Sequence, residues 1–415
     1  MFVVAVIFLL GYLVVTLEHP LRIEKAAAAL VTGGLCWLWL TLDPGHAGID
    51  HLLEHHLVEI AGIVFFLLAA MTIVEVIEGF DGFRPLIQIL NVSSKRTFFV
   101  LIALLTFGLS AILDNLATTL VMLALISKKL DDEEDLKLFA GMIVIAANAG
   151  GAFSPIGDVT TTMLWIGGQV TFPSIVYRVF WPSFVSFIVP LFWLARQVKG
   201  SLATETKAEV EAIPGRTVIL VVGVGFLVAV PVLKTLLHVP PYLSLLTGLG
   251  VLWVLTELLA ARRHRYKERR SSLPSALQKI DLPSILFFIG ILLAVAALDD
   301  AGALAFLAQV LVNVLGGPHA IAAALGVLSS VFDNVPLVAG AARMFTLEQF
   351  PPDSPFWQWL AFAAGTGGSL LVVGSAAGIA AMGFTGLRFG WYAKKIGFPA
   401  AVGFAAGLGV LLTGL

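Results

Sequence analysis

Long apolar runs determine what this chain of 415 residues can fold into. Hydrophobic residues make up 59% of it and charged residues only 13%, about half of the one quarter that is usual in soluble domains. A helix needs about 17 to 25 apolar residues to cross roughly 30 Å of hydrocarbon. Runs of this length predict an all-α polytopic membrane protein in a lipid bilayer, and they lie near 1–17, 23–42, 59–79, 174–196, 218–237, 241–260, 283–299 and 396–414.

Composition also excludes several kinds of site. The formal net charge of -2 gives no indication of a nucleic-acid partner. Cys36 is the only cysteine, so one chain builds neither a disulfide framework nor a thiolate metal site, and no cofactor is expected. The first apolar run starts at Met1 without a basic segment before it, which predicts a spanning helix and not a cleaved signal.

Two further apolar stretches are interrupted by polar residues. The stretch 98–127 carries Asp114 and Asn115 at its centre and is shorter than the roughly 40 residues of two spans, so it predicts a re-entrant hairpin. The run 138–168 contains glycine and proline between Asn148 and Asp158, which predicts a helix broken near the middle of the membrane.

The second half of the chain repeats this order. The pair Asp333-Asn334 follows Asp114-Asn115 after 219 residues. Each half then crosses the membrane five times, an odd number, so the halves run as inverted repeats, as in secondary transporters. The predicted parts are a first repeat 1–196 with hairpin 98–127 and broken helix 138–168, a cytoplasmic linker 197–216, and a second repeat 217–415 with hairpin 320–345 and broken helix 356–388.

The distribution of basic residues gives an independent prediction of topology. Cytoplasmic borders carry an excess of Lys and Arg. In the five-crossing arrangement, all of the 25 Lys and Arg residues except Arg178, Lys234 and Arg343 fall on one side. That side is therefore predicted to be cytoplasmic, and both termini extracytoplasmic.

The interrupted segments supply a candidate ion site. A broken helix directs backbone groups and half-helix dipoles into the membrane interior, and an ionised acid at that depth is costly unless it serves an ion, water or protein partner. Carboxylate, hydroxyl and amide oxygens are ligands for hard cations. The candidates are Asp114, Asn115, Thr118, Thr119 and Asp158 in the first half, and Ser329, Asp333, Asn334, Thr366 and Ser369 in the second.

The two halves are not expected to form equivalent sites, because Ser375 falls near the position that corresponds to Asp158. A Thr or Ser in these runs could instead satisfy a neighbouring helix. Glu75, late in the third span, is a weaker candidate for a proton path. Two border segments complete the prediction: residues 81–91 suit an amphipathic helix along the interface, and His51, His55 and His56 are expected in a solvated outer loop.

The stretches 110–119, 151–165 and 330–338 resemble the NhaD-type sodium/proton antiporters of the ion transporter superfamily. The resemblance implies that cytoplasmic Na+, and also Li+, is expelled in exchange for H+ across a bacterial cell (inner) membrane by a homodimer. It implies Na+ at Asp114, Asn115 and Asp158. The polar residues that the family requires map onto Ser110, Asp114, Asn115, Asn148, Asp158, Thr160, Thr161, Ser329, Asp333, Asn334 and Ser369.

Two other functions compete with this interpretation. A sodium-coupled carboxylate or oxyanion transporter of the same superfamily would share the fold, but an anion would be repelled by Asp114 and Asp158, and the runs offer no Arg or Lys to hold it. An intramembrane aspartyl protease would pair two buried acids. Its Gly-x-Gly-Asp pattern is not met, because Pro155 precedes Ile156-Gly157-Asp158, so the chain is not expected to be an enzyme.

Overall fold

The structure is a computed structural model that describes residues 1–42, 49–83, 90, 92–202, 213–261 and 273–414. Within these residues the chain is helical and forms no strand; one isolated bridge joins Ser94 to Ser201. The helices are α1 Phe2–Thr16, α2 Glu18–Leu21, α3 Lys25–Leu42, α4 Ile49–Gly79, α5 Lys95–Ser110, α6 Asn115–Ile126, α7 Glu133–Ala152, α8 Val159–Ile166, α9 Phe172–Ala195, α10 Arg216–Leu237, α11 Pro241–Ala261, α12 Leu273–Leu277, α13 Leu282–Asp300, α14 Ala303–Leu315, α15 Pro318–Leu328, α16 Asn334–Met344, α17 Pro355–Gly367, α18 Ala376–Thr385, α19 Phe389–Tyr392 and α20 Phe398–Leu412.

Eight helical segments of the described chain are long and apolar enough to cross a membrane. This confirms the predicted all-α polytopic membrane protein. Two of the ten expected crossings are not among the eight: α1 has 15 residues, and the second broken segment consists of the shorter helices α17 and α18. The eight are Lys25–Leu42, His51–Gly79, Glu133–Ala152, Phe172–Ala195, Arg216–Leu237, Pro241–Ala260, Leu282–Asp300 and Phe389–Leu412.

The predicted interruptions lie between helices. The chain leaves helical geometry between α5 and α6, between α7 and α8, between α15 and α16, and between α17 and α18. Re-entry of the two hairpins and inversion of the repeats stay predictions. Most of the predicted interfacial helix 81–91 lies outside the described residues.

The first compact unit contains residues 1–76, 229–317 and 338–350. Its core includes a close crossing of α3 and α13, where a Cβ on Gly33 would lie 2.6 Å from the Gly290 carbonyl oxygen. Small residues let helix backbones approach in a membrane. The indole Nε1 of Trp37 donates to the Leu293 carbonyl at 2.9 Å and fixes the same pair of helices.

The predicted histidine loop is wrong, because the segment is helical, but the predicted exposure is confirmed for His51 and His55. His51, His55 and His56 lie in the first turns of α4, which begins about ten residues earlier than the predicted third span. Only His56 is buried, and its Nε2 lies 3.1 Å from an Asp300 carboxylate oxygen. The apolar-run criterion placed the span too late because it treats polar residues as the end of a helix, whereas this helix continues through them.

The second compact unit contains residues 77–228, 318–337 and 351–415. Its centre is α7, which is buried from Leu138 to Ala152. Helices α5, α6, α9, α17 and α18 all pack against α7. The four breaks thus lie in this unit, around a helix that is buried over its last fifteen residues, whereas residues 338–345 of the second predicted hairpin belong to the first unit.

Candidate ion site

Asp158 lies at the break between α7 and α8. Its backbone is extended, it occupies the N-cap position of α8, and it is only 3% exposed. The Thr160 hydroxyl donates to one carboxylate oxygen, Oδ2, and the Asn115 amide donates to the other at 3.4 Å. No Lys or Arg in the described part of the chain forms an ion pair with Asp158.

Asp114 and Asn115 begin α6 at the corresponding break of the first hairpin. The half-buried Asp114 accepts a 2.8 Å hydrogen bond from the Ala117 amide, which satisfies one of the free N–H groups of the first turn. Asn115 donates both to Asp158 and, at 3.2 Å, to the Asn148 side-chain oxygen. Asn115 therefore joins the hairpin to the broken helix.

Asn148 extends this network to the second half of the chain. Its amide nitrogen donates to the hydroxyls of Ser369 and Ser375, at 2.9 Å each. Ser375 caps α18 by accepting from the Gly378 amide, so it takes the place in the second broken helix that Asp158 takes in the first. The Ser369 carbonyl in turn accepts from the Tyr392 hydroxyl at 2.8 Å.

Equivalent serines join hairpin and broken helix in both halves. The Ser110 hydroxyl donates to the Ala147 carbonyl at 2.6 Å, and the Ser329 hydroxyl lies 3.1 Å from the Ala364 carbonyl. Ser329 follows Ser110 after 219 positions, and Ala364 follows Ala147 after 217 positions. The Ser329 hydroxyl also lies 2.8 Å from the Gly326 carbonyl of its own helix, so the two halves share a serine contact while the repeat itself stays a prediction.

Matching glycines let the backbones approach at these breaks. A Cβ on Gly157 would lie 1.8 Å from the Ser110 carbonyl oxygen, and a Cβ on Gly374 would lie 2.5 Å from that of Ser329. Real Cβ atoms do not approach that closely, so both positions require glycine. A Cβ on Gly150 would lie 2.2 Å from the Phe107 carbonyl oxygen, and a Cβ on Gly367 would lie 2.1 Å from that of Gly326.

The second half offers fewer charges. Asp333 is half-buried and accepts from the Val335 amide at 3.2 Å, while Asn334 is buried at the start of α16. The Thr366 hydroxyl is used within its own helix, by donation to the Phe362 carbonyl. With Ser375 in place of an acid, this half lacks a buried carboxylate at the break, as the sequence predicted.

Other predicted residues have different surroundings. Thr119 donates to the Asn115 carbonyl, Thr161 donates to the Ala152 carbonyl, and the buried Thr118 Oγ1 has no hydrogen-bond partner among the described residues. Glu75 belongs to the first unit, where its carboxylate lies 3.0 Å from the Lys279 ammonium group. A role of Glu75 in a proton path stays a prediction.

Sequence reasoning missed two residues next to Asp158. A Cβ on Gly365 would lie 2.7 Å from the Ala152 Cβ and 3.6 Å from the Asp158 Oδ2 atom, so glycine lets α17 approach the end of α7 beside the carboxylate. The Thr162 hydroxyl lies 2.6 Å from the Pro155 carbonyl and fixes the loop before α8. The run of three threonines at 160–162 indicates the Thr162 contact. No local sequence pattern indicates the contact at Gly365.

Comparison with known proteins agrees with the resemblance of the stretches 110–119, 151–165 and 330–338. The sequence model of the family described as "Citrate transporter" matches residues 4–361. Sodium/proton antiporter 1 of Arabidopsis thaliana is 43% identical over 98% of this chain and 71% of its own length. Sodium/proton antiporter 2 of the same plant is 39% identical over 97% of both chains.

A bacterial sodium/proton antiporter is also similar to this chain. The Na(+)/H(+) antiporter NhaD of Alkalimonas amylolytica is 32% identical over 92% of this chain and 84% of its own length. The match extends over nearly the whole chain, far beyond the three motifs. The chain therefore belongs to the family that the Citrate transporter model describes and, within it, to the NhaD-type sodium/proton antiporters.

Proposed function

We propose that this chain is a secondary active transporter that exchanges cytoplasmic Na+, and Li+, for external protons. The observation that carries the proposal is the buried carboxylate of Asp158, which lies on an interrupted span and forms no ion pair with a described Lys or Arg. An ionised acid at such a depth is costly without a counter-charge. Either Na+ or a proton supplies that charge, and the relatives named sodium/proton antiporters support this choice.

The arrangement suits a hard cation. Asp158, Asn115 and Thr160 bring together carboxylate, amide and hydroxyl groups, and such oxygens are ligands for hard cations. We place Na+ at Asp114, Asn115 and Asp158. Ser110 and Asn148 position the interrupted segments through their hydrogen bonds to Ala147, Ser369 and Ser375.

Coupling follows from competition for the same oxygens. A carboxylate binds either Na+ or a proton, so a site loaded with one of them has released the other. The loaded site can change the side to which it is open, while the empty charged site is held back by its desolvation cost. Exchange then needs no separate proton channel.

The proposal includes the predicted topology. The halves run as inverted repeats with both termini outside, hairpin 98–127 enters from the cytoplasm, and the protein works as a homodimer in a bacterial cell membrane. The serine and glycine contacts shared by both halves support the repeat, and the distribution of Lys and Arg supports the orientation.

A carboxylate transporter is the second candidate, because the matching family is described as Citrate transporter. The charge of the site argues against it. The candidate residues of both halves include Asp114, Asp158 and Asp333 but no Lys or Arg, and an anion would need Na+ to neutralise the acids first.

One assay separates the two candidates. Purified protein is reconstituted into liposomes that hold a pH gradient and a pH-sensitive dye, and Na+, Li+, K+ and citrate are then added separately. Na+ and Li+ are expected to dissipate the gradient and citrate alone is not. Uptake of radiolabelled citrate that depends on Na+, without proton exchange, would contradict the proposed function.

A further inference from the structure

A buried tyrosine lies behind the second break, within the second unit. Tyr392, the last residue of α19, is fully buried, and its hydroxyl donates to the Ser369 carbonyl at 2.8 Å. Ser369 is buried between α17 and α18, and no backbone amide of the described residues donates to its carbonyl. A buried carbonyl without a donor costs free energy. The Tyr392 hydroxyl therefore fixes the backbone of the break at Ser369.

The segment that follows this tyrosine is packed tightly. A π-helical turn, Ala393–Gly397, joins α19 to α20, and such turns are rare and frequently lie at functional sites. A Cβ on Gly397 would lie 2.9 Å from the Leu370 carbonyl oxygen, and a Cβ on Gly141 of α7 would lie 2.5 Å from a side chain of the turn. The turn is thus held against both the second break and α7.

The carboxylate of Asp158 sets the direction of the hydrogen bonds that lead from it to the second break. An ionised carboxylate only accepts hydrogen bonds, so the Asn115 amide presents its nitrogen to Asp158. The same nitrogen donates to the Asn148 oxygen, which leaves the Asn148 nitrogen to donate to the hydroxyls of Ser369 and Ser375. Both amides therefore have a defined orientation.

This orientation matters for a cation. No hydrogen bond of the described residues uses the side-chain oxygen of Asn115, so that oxygen is left for an ion, and amide oxygens are ligands for hard cations. If the Asn148 amide lost its hydroxyl acceptors, it would be free to turn, and Asn115 would lose the partner that holds its nitrogen.

We propose that Tyr392 is a positioning residue of the ion site. Its hydroxyl fixes Ser369, and Ser369 fixes the Asn148 amide. Asn148 in turn fixes the amide of Asn115, which keeps its nitrogen on the carboxylate and its oxygen available to Na+. Tyr392 acts through these residues and does not ligate the ion. The inference deepens the proposed function and rests on it.

Removal of one hydroxyl tests this role. Tyr392→Phe keeps the buried ring and is expected to raise the KM for Na+ in proteoliposomes about two- to tenfold, as the loss of one hydrogen bond would. The maximal rate should change less, because the tyrosine does not touch the ion. Thr385→Val is the matched control: this buried hydroxyl of the same unit donates to the Ala381 carbonyl within α18 and is not part of the network.

A double variant tests the order of the contacts. Asn148 has two hydroxyl acceptors, so each partly compensates for the loss of the other. Ser375→Ala alone should raise the KM at most about twofold. Tyr392→Phe/Ser375→Ala should raise it above the product of the two single effects, by at least about a further twofold. A tyrosine that only stabilised the fold would give the simple product.

Calorimetric titration of detergent-solubilised protein with Na+ gives a readout that does not depend on transport. Tyr392→Phe should weaken Na+ binding by the same factor as it raises the KM, and Thr385→Val should not. Gly397→Ala is a second variant on the same segment, since its Cβ would push the turn away from the Leu370 carbonyl. It should weaken binding in the same direction, and size-exclusion profiles confirm that each variant is folded.

The outcomes separate this inference from the proposed function. Wild-type protein that exchanges Na+ for protons, with a KM in Tyr392→Phe that is unchanged or shifted no more than in Thr385→Val, would overturn the positioning role alone. A simple product in the double variant, or an effect confined to the maximal rate, would also overturn it. Wild-type protein that binds Na+ but exchanges no protons would overturn the proposed function, while the calorimetric comparison of the variants would still test Tyr392.

Discussion

Asn148 donates a 2.9 Å hydrogen bond to Ser375, the residue that caps the second broken helix as Asp158 caps the first. Two structurally equivalent positions thus carry an acid in one half and a hydroxyl in the other. The hydroxyl is occupied by Asn148 and by the Gly378 amide, whereas the acid carries a negative charge that its neutral donors, Thr160 and Asn115, do not cancel. This relationship makes the two halves chemically different within one repeated fold.

The first prediction compares those positions. Asp158→Asn is expected to abolish Na+/proton exchange, because it removes the buried charge that binds the ion. Ser375→Ala should keep most of the exchange and lose about 1 kcal/mol of stability with its helix cap. Dye-based exchange in proteoliposomes and thermal unfolding in detergent measure the two effects. Equal loss of exchange in both variants would indicate two equivalent ion sites.

The second prediction concerns pH. Since Na+ and protons compete for the same carboxylates, the apparent Na+ affinity should tighten as pH rises, by up to about tenfold per unit for each proton displaced, and level off once the empty site is deprotonated. Addition of Na+ to detergent-solubilised protein in weak buffer should release protons. Calorimetry in buffers of different ionisation enthalpy measures the number released. Na+ binding without proton release would contradict direct competition.

The third prediction tests the close approach at the break. Gly157→Ala should destabilise the fold by about 1 to 3 kcal/mol or more, because its Cβ would collide with the Ser110 carbonyl oxygen at 1.8 Å. Gly108→Ala is the control, because a Cβ there meets nothing within 4 Å. Size-exclusion profiles after graded heating compare the variants. Similar profiles for both would show that the break can open without cost.

The fourth prediction concerns the ion pairs of the first unit. Arg343 donates to Glu59 at 2.9 Å and to Asp299 at 3.3 Å, and it lies 3.0 Å from the buried His56. Arg343→Met should cost about 2 kcal/mol, because it leaves partly buried acids unpaired; the Glu59 contact contributes little of this, since that side chain is half exposed.

Arg178→Met is the control for Arg343→Met. Arg178 is also expected on the outer side, but it is exposed and donates to the Gly414 carbonyl. A fall in the unfolding temperature of Arg343→Met alone is the expected result. The same unfolding temperature for both variants and the wild type would contradict a stabilising role of the network.

The fifth prediction tests topology. In a Cys36→Ala background, a cysteine at Ser271 should react with a membrane-impermeant thiol reagent only from the cytoplasmic side, and one at Leu415 only from the outside. The reason is the excess of Lys and Arg on one set of borders. Labelling of intact cells and of inside-out vesicles distinguishes the sides. Reaction of both cysteines from the same side would rule out five crossings in each half.

The sequence by itself determined the helical membrane class, the positions of the breaks and the acids that lie at them. These features depend on local signals: run length sets the spans, and Pro155 prevents continuous helix before Asp158, whereas Gly150 and Gly151 lie within α7. The recurrence of Asp114-Asn115 as Asp333-Asn334, in the same order of elements, predicts a repeat. Local signals were misleading at the start of α4, where His56 interrupts hydropathy but not the helix.

Only the tertiary structure decided which polar groups meet. Asn115 reaches Asp158 across 43 residues and Asn148 reaches Ser375 across 227, and such pairings depend on how helices pack, which residue spacing does not encode. Packing likewise joined Glu75 to Lys279 in the first unit and left the Thr118 hydroxyl without a partner among the described residues. Hydropathy can identify an acid that lies buried at membrane depth. Which residues contact that acid depends on where helix backbones approach each other closely, and glycines at particular positions permit that approach.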